Sequence, residues 1–297
     1  MHPDVRAAER AVCHRCGMTL APMDARAFAE NGLEVDVARG RASGTIALTM
    51  RVMAGREKVR DFEVVHQRPF HLFVVSRDLA HFDHVHPELG SDGAFRLELR
   101  VPRSGVYRLV ADFYPKGGVP QTVQRTIVTP GFAGPLFAEP PALVPDAREK
   151  TAGGLRIALD AAPLVAGREA TLTFTCLDTA GLGPADLEPF LGAPGHLLVM
   201  SADLVDAIHS HPEGTGDVGP GTQPGTQPGA QPGHPPANQQ TVEGVPSPQS
   251  LVPVAFFVRF PRPGGYRMWL QVQRRGNVIT VPFTVTVREP GVARQDP

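Results

Sequence analysis

The sequence has few cysteines, few large polar aromatics and no excess of either charge. There are three cysteines in 297 residues: Cys13 and Cys16 form a close pair, and Cys176 stands alone in an apolar run. That is not a disulfide framework. The formal net charge is −1, from 29 basic and 30 acidic residues. It gives no electrostatic reason to expect nucleic acid or an anionic membrane as partner. No apolar stretch is long enough to span a bilayer as a transmembrane segment, and no signal peptide precedes the first domain as the chain is written. Long helical patterns are missing too. Gly and Pro number 31 each, and this much turn chemistry favours many short strands. The hydrophobic share of 42% supplies real cores, and the length predicts two domains.

An internal duplication dominates the rest. Residues 71–88 (HLFVVSRDLAHFDHVHPE) align without a gap on 196–213 (HLLVMSADLVDAIHSHPE), an offset of 125. Matched positions include His71/His196, Ser76/Ser201, Asp78/Asp203, Leu79/Leu204, His84/His209, His86/His211 and Glu88/Glu213. A second block matches at an offset of 159, with Arg103/Arg262, Gly105/Gly264 and Tyr107/Tyr266. The difference is an insertion in the second copy, visible as the Gly/Pro/Gln-rich stretch 214–250, which has no means of building a core and reads as a disordered loop. The expected organisation is a short motif at 1–28, copy 1 at 30–130, a Pro-rich linker at 131–150, copy 2 at 151–290 and a tail at 291–297.

Strand patterns run throughout both copies, about seven in each hundred residues. The fold class is therefore all-β: two tandem immunoglobulin-like β-sandwich domains, with a small up-and-down barrel as the alternative. Gly105–Tyr107 and Gly264–Tyr266 match the tyrosine corner of such sandwiches, a buried ring with its hydroxyl bonded to backbone. Cys176, Met50, Met53, Met200 and Trp269 read as core residues.

The histidines repeat with the hairpins. A tight turn centred on Asp78 and Leu79 pairs residues whose numbers sum to 157, so His71 faces His86 and Phe73 faces His84. Alternation puts these side chains on one side of the sheet, and neighbouring pairs lie only ~5–8 Å apart. His71, His84 and His86 can then converge on one ion, as can His196, His209 and His211, whose register sums to 407. All-imidazole sites suit Cu(II), Zn(II) or Ni(II). Glu88 and Glu213 are either orienting partners of the rings or ordinary turn carboxylates. No companion acid or base repeats near the cluster.

Residues 1–20 carry a further motif: Met1-His2-Pro3, a spacer, then Cys13-x-x-Cys16-Gly17-Met18-x-Leu20. Two thiolates on a Gly turn with a nearby thioether suit a soft ion. No thioredoxin-like pattern follows, so metal is preferred over redox use. The segment resembles the short heavy-metal-binding domain of membrane-fusion subunits in copper and silver efflux pumps and of copper-transporting P-type ATPases. It departs from that pattern in two ways. His14 stands in place of a proline, and the leading Tyr-x-Cys-Pro is absent, which predicts a true start upstream of Met1. The resemblance implies His2, Cys13, Cys16 and Met18 as ligands, with copper as the cargo; zinc is the alternative for the histidine clusters. It also implies a periplasmic or extracellular location and a metal efflux or assembly system as partner. The remainder is similar, more loosely, to exported bacterial tandem β-sandwich proteins of unassigned biochemistry.

The expected function is a non-enzymatic metal buffer or chaperone. An adhesion or scaffold module with structural histidines is the alternative. A metal-dependent hydrolase with an open three-histidine site is a third reading, for which no nucleophile–base constellation is recognisable.

Overall fold

The computed structural model describes residues 30–184, 186–212 and 253–291, with isolated positions at 7, 11 and 20. His2, Cys13, Cys16, Met18, Glu213 and the stretch 214–250 lie outside the described residues, and with them the thiol motif and the expected loop.

Every pairing between the described strands is antiparallel. Copy 1 comprises β1 (Gly32–Arg39), β2 (Thr45–Ala54), β3 (Glu57–Lys58), β4 (Phe70–Ser76), β5 (Phe82–Val85), β6 (Glu88–Leu89), β7 (Phe95–Arg100), β8 (Val106–Phe113) and β9 (Gln121–Val128). One sheet runs β1-β2-β7-β6 with β3 on β2, and the other runs β5-β4-β8-β9. Copy 2 comprises β10 (Glu149–Ala152), β11 (Leu155–Asp160), β12 (Glu169–Leu177), β13 (Leu187–Glu188), β14 (His196–Ser201), β15 (Ala207–Ser210), β16 (Val254–Arg259), β17 (Gly264–Arg274) and β18 (Asn277–Val287). Its sheets are β10-β11-β12-β16 and β13-β17-β14-β15, with β18 also on β17. The chain is thus two immunoglobulin-like sandwiches. No helix among the described residues is long and apolar enough to cross a membrane.

Each sandwich closes on its own core. Leu48, Met50, Phe70, Leu72, Val74 and Phe95 lead the first, and Leu172, Phe174, Leu197, Val199, Phe256 and Phe283 lead the second. Cys176 is buried in the second core, and burial pushes its thiol up to about 11. Both tyrosine corners are present: the Tyr107 hydroxyl donates to the Arg103 carbonyl at 2.7 Å, and that of Tyr266 lies 2.9 Å from the Arg262 carbonyl.

β4 and β14 are buried along their whole length, on both faces. One face of each serves its own sandwich. The other faces the opposite copy, where Phe73, Val75 and Val110 meet Leu198, Met200 and Trp269. Trp269 is therefore buried, but in the seam between copies and not in a sandwich core; its ring stacks on Phe82 with centroids 4.9 Å apart. Met200 is a seam residue as well. The linker helps close the seam through Leu143.

Candidate metal centre

The hairpins set the register. Phe73 pairs with His84 and Leu72 with Val85 in copy 1, and Leu198 with His209 and Leu197 with Ser210 in copy 2. Both turns are built alike. The Ser76 and Ser201 hydroxyls donate to Asp78 and Asp203 at 2.5 Å, and Leu79 and Leu204 take φ of 58° and 59°. A leucine rarely adopts that left-handed conformation, and the side-chain bond within the turn helps hold it there.

This register brings His71, His84 and His86 into one group and His196, His209 and His211 into another. Within each group the candidate ligand nitrogens lie within 4.8 Å of one another. His71 Nδ1 is 3.2 Å from Nε2 of His84 and 3.2 Å from Nε2 of His86. Two nitrogens held ~2.0–2.1 Å from a tetrahedral ion are about 3.3 Å apart, so the spacing fits a shared cation. In copy 2, His196 Nδ1 and His209 Nε2 are 3.5 Å apart.

The outer nitrogens are tied down. His71 Nε2 meets the Val65 carbonyl at 2.9 Å, and His196 Nε2 meets the Phe190 carbonyl at 2.9 Å. Val65 and Phe190 open equivalent two-residue turns whose central residues, His66–Gln67 and Leu191–Gly192, have positive φ. His84 Nδ1 crosses the seam to Gln271 Oε1 at 2.8 Å, and His209 Nδ1 crosses in the opposite direction to Asp112 Oδ2 at 2.5 Å. Carbonyl and amide oxygens only accept, so a neutral His71 carries its proton on Nε2 and a neutral His84 on Nδ1. Nδ1 of His71 and Nε2 of His84 are then two lone pairs facing each other at 3.2 Å, and the first also lies 3.2 Å from Nε2 of His86, which donates to it when that nitrogen carries the proton. In copy 2, His211 is buried, and among the described residues neither of its ring nitrogens has a hydrogen-bond partner. Leaving such groups unpaired costs about 1–3 kcal/mol each.

Five of the six rings are held neutral. Burial, then the neighbouring imidazoles led by His209, pushes His71 down to about 3. Burial, then Arg68, pushes His86 down to about 4. Burial first and nearby histidines second hold His84, His196 and His211 well below the usual imidazole range. Burial alone would raise Asp112, but its bond to His209 keeps it an anion. Neutral imidazoles are the form that binds metal.

The two groups adjoin across the seam. Ring centroids of His84 and His196 are 5.5 Å apart, and those of His71 and His209 are 6.0 Å apart. Spacings within the groups, such as 5.4 Å for His71–His84 and 5.7 Å for His196–His209, are hardly smaller.

Three members of the site carried no sequence signal of their own. Asp112 pairs with His71 across β4–β8, and Gln271 pairs with His196 across β14–β17. They occupy the same position at the offset of 159, but one is an acid and the other an amide, so neither registers as a repeated companion. The acid that sequence reading did not find is therefore present, in one copy only. His66, also buried, packs its ring 3.8 Å from that of His211, where the turn of copy 2 has Leu191. Glu88 is exposed and is not an orienting partner of the rings. His81 and Asp83 pair with each other at 2.8 Å on the other face of the hairpin.

A single family model, described as a domain of unknown function (DUF8832), matches two segments, residues 29–131 and 150–289. The chain belongs to the DUF8832 family. Both DUF8832 segments contain one histidine group, complete in the first and in the second. No curated protein matches the chain. Among solved structures, it is similar to the adhesin FdeC of Escherichia coli, at 12% identity over 91% of this chain and 68% of that one, with a TM-score of 0.23. It is also similar to an alpha-2-macroglobulin of Salmonella (11% identity, 88% of this chain, 15% of that one, TM-score 0.23). A third likeness is to the transglutaminase of red sea bream (11% identity, 88% of this chain, 31% of that one, TM-score 0.22). At these scores the likenesses carry no argument about what a DUF8832 chain does.

Proposed function

We propose that this chain binds metal ions, one at each three-histidine group, as an extracytoplasmic buffer or carrier of copper or zinc. The observation that supports this most is the pair of inward lone pairs on His71 and His84, 3.2 Å apart with their outer nitrogens already committed. A cation between them turns a repulsion into two bonds. The outer bonds to Val65, Gln271, Phe190 and Asp112 are of the kind that orient ligating imidazoles. Imidazole-only donor sets favour Cu(II) and Zn(II). The thiol motif of Cys13, Cys16 and Met18, with His2, belongs to the same proposal as a soft-ion site at the N-terminus, on its resemblance to heavy-metal-binding segments of efflux systems.

The test is metal content of the full chain after exposure to Cu(II) or Zn(II) and removal of unbound ions. The expected histidine capacity is two ions per chain. Changing His84, His86, His209 and His211 together to Ala should remove most of it, with folding checked by circular dichroism. Loss of less than half overturns the reading. It would leave the adhesion or scaffold role, for which buried histidines bonded to main chain at Val65 and Phe190 are the structural support.

A further inference from the structure

We infer that the two histidine groups form one two-metal centre, and that this centre holds a small anion from solvent between its ions. The inference rests on the metal reading above and goes beyond it in two respects. The ions act as a pair, and they take a third, exogenous ligand.

Proximity is the first argument. An ion ~2.0–2.1 Å from a ring nitrogen sits about 3 Å from that ring's centre. With His84 and His196 centred 5.5 Å apart, the two ions are separated by at most about 12 Å, and by less if they lie on the facing sides of the rings. Four centroid spacings across the seam fall between 5.5 and 6.5 Å, so no layer of protein intervenes.

Charge is the second. Histidine ligands are neutral, and two divalent ions bring four positive charges into a buried seam. The ring partners supply one negative charge, from Asp112; the equivalent partner in the other copy is the neutral Gln271. Buried charge without a counter-charge is costly. The deficit must be met by an anion that enters with the metal.

Access is the third. A cavity of about 840 Å³ reaches the cluster, and its wall includes His71 from one group, His209 and His211 from the other, and Asp112. It therefore touches both groups at once. Arg68 and Arg125 line the same cavity, where they favour anions, against Glu30 and Glu63. Three protein ligands leave an open position on each ion, the usual place for a water or a small exogenous ligand. Charge selects an anion, and the cavity is wide enough to admit one from solvent.

Azide on the copper-loaded full chain tests this. After loading with two Cu(II), azide is titrated while its charge-transfer band and the Cu(II) paramagnetic resonance intensity are followed. A bridged pair gives an endpoint of one azide per two copper ions, with resonance intensity falling by more than half as the spins couple. The variant with His84→Ala and His86→Ala, loaded with one copper, should still bind azide with its intensity unchanged. An endpoint of two azides with full intensity, or no azide binding by the two-copper protein, overturns the inference and leaves the metal reading standing. A chain that takes up fewer than two histidine-bound ions overturns the metal reading itself, and the pair with it.

Discussion

Asp112 and Gln271 occupy the same position in the two copies, and each accepts a hydrogen bond from a histidine of the other copy. Every histidine group is thus completed by the neighbouring sandwich, and the two are not equal. A carboxylate on His209 Nδ1 makes that ring a stronger donor than the amide makes His84. Removal of an orienting partner typically costs 10–100-fold in metal affinity. Asp112→Ala should therefore weaken binding at the copy 2 group by about 10–100-fold and leave the copy 1 group nearly unchanged. Competition titrations against a chelator, run in the backgrounds that lack one group or the other, read this directly. Equal weakening of both groups, or none, would count against the cross-seam assignment.

Acid should unload and then destabilise the protein. His71 titrates near 3 and His86 near 4 in the folded chain, below the ordinary 6.5, because burial disfavours their charged forms. The unfolded chain therefore takes up protons first as pH falls. Stability is complete above about 6.5 and declines from there toward 3 to 4, by up to about 1.4 kcal/mol per pH unit for each fully buried histidine. His84, His196 and His211 act in the same direction. The half-buried His86 contributes less than His71. Urea midpoints of the metal-free protein between pH 7.5 and 4 should fall steadily, and the metal-loaded protein should release its ions over the same range. A flat profile would mean that these rings are not buried neutral.

Much of the site was legible because the two copies check each other. The gap-free match from His71 to Glu88 and from His196 to Glu213 fixes the turn, and the turn fixes which residues share a face. Period-two alternation says that a face exists but not what covers it. The runs HLFVVS and HLLVMS are apolar on both faces, which fits a strand buried on two sides, but only the folded chain shows that the second cover is the other copy. For the same reason Trp269 reads as core from its neighbours while lying in the seam. Asp112 and Gln271 escape detection because equivalent positions carry different chemistry, and the function they share depends on a contact between distant segments.

The tyrosine corners should differ in worth. Among the described residues the Tyr107 hydroxyl bonds the Arg103 carbonyl, a neutral acceptor, and Tyr107→Phe should cost about 0.5–1.5 kcal/mol. The Tyr266 hydroxyl lies 2.9 Å from both the Arg262 carbonyl and the Asp206 carboxylate. Burial, then Asp206, pushes its ionisation up to about 12. Bonds to charged groups are worth about 1.5–3 kcal/mol, so Tyr266→Phe should be the more damaging change. Denaturant unfolding of the two single variants measures the order, and a reversed order would remove the role given to Asp206.

Trp269 is the chain's one tryptophan, so its fluorescence reports the seam and little else. Its ring lies on Phe82 with an interplanar angle of 11°, and copy 2 has Ala207 where copy 1 has Phe82. Phe82→Ala therefore installs a residue that the equivalent hairpin already tolerates, while removing the surface against which the indole packs. Phe82 is only partly buried, so the cost should fall below the about 3–5 kcal/mol of a fully buried Phe→Ala. Water reaching the indole should shift its emission to the red with the far-ultraviolet dichroism of the sandwiches unchanged. Because His84 and His209 find their outer partners across this same seam, metal affinity should drop at both groups together. Emission that stays in place, or a loss confined to one group, would show that the stack and the metal centre do not share a common docking surface.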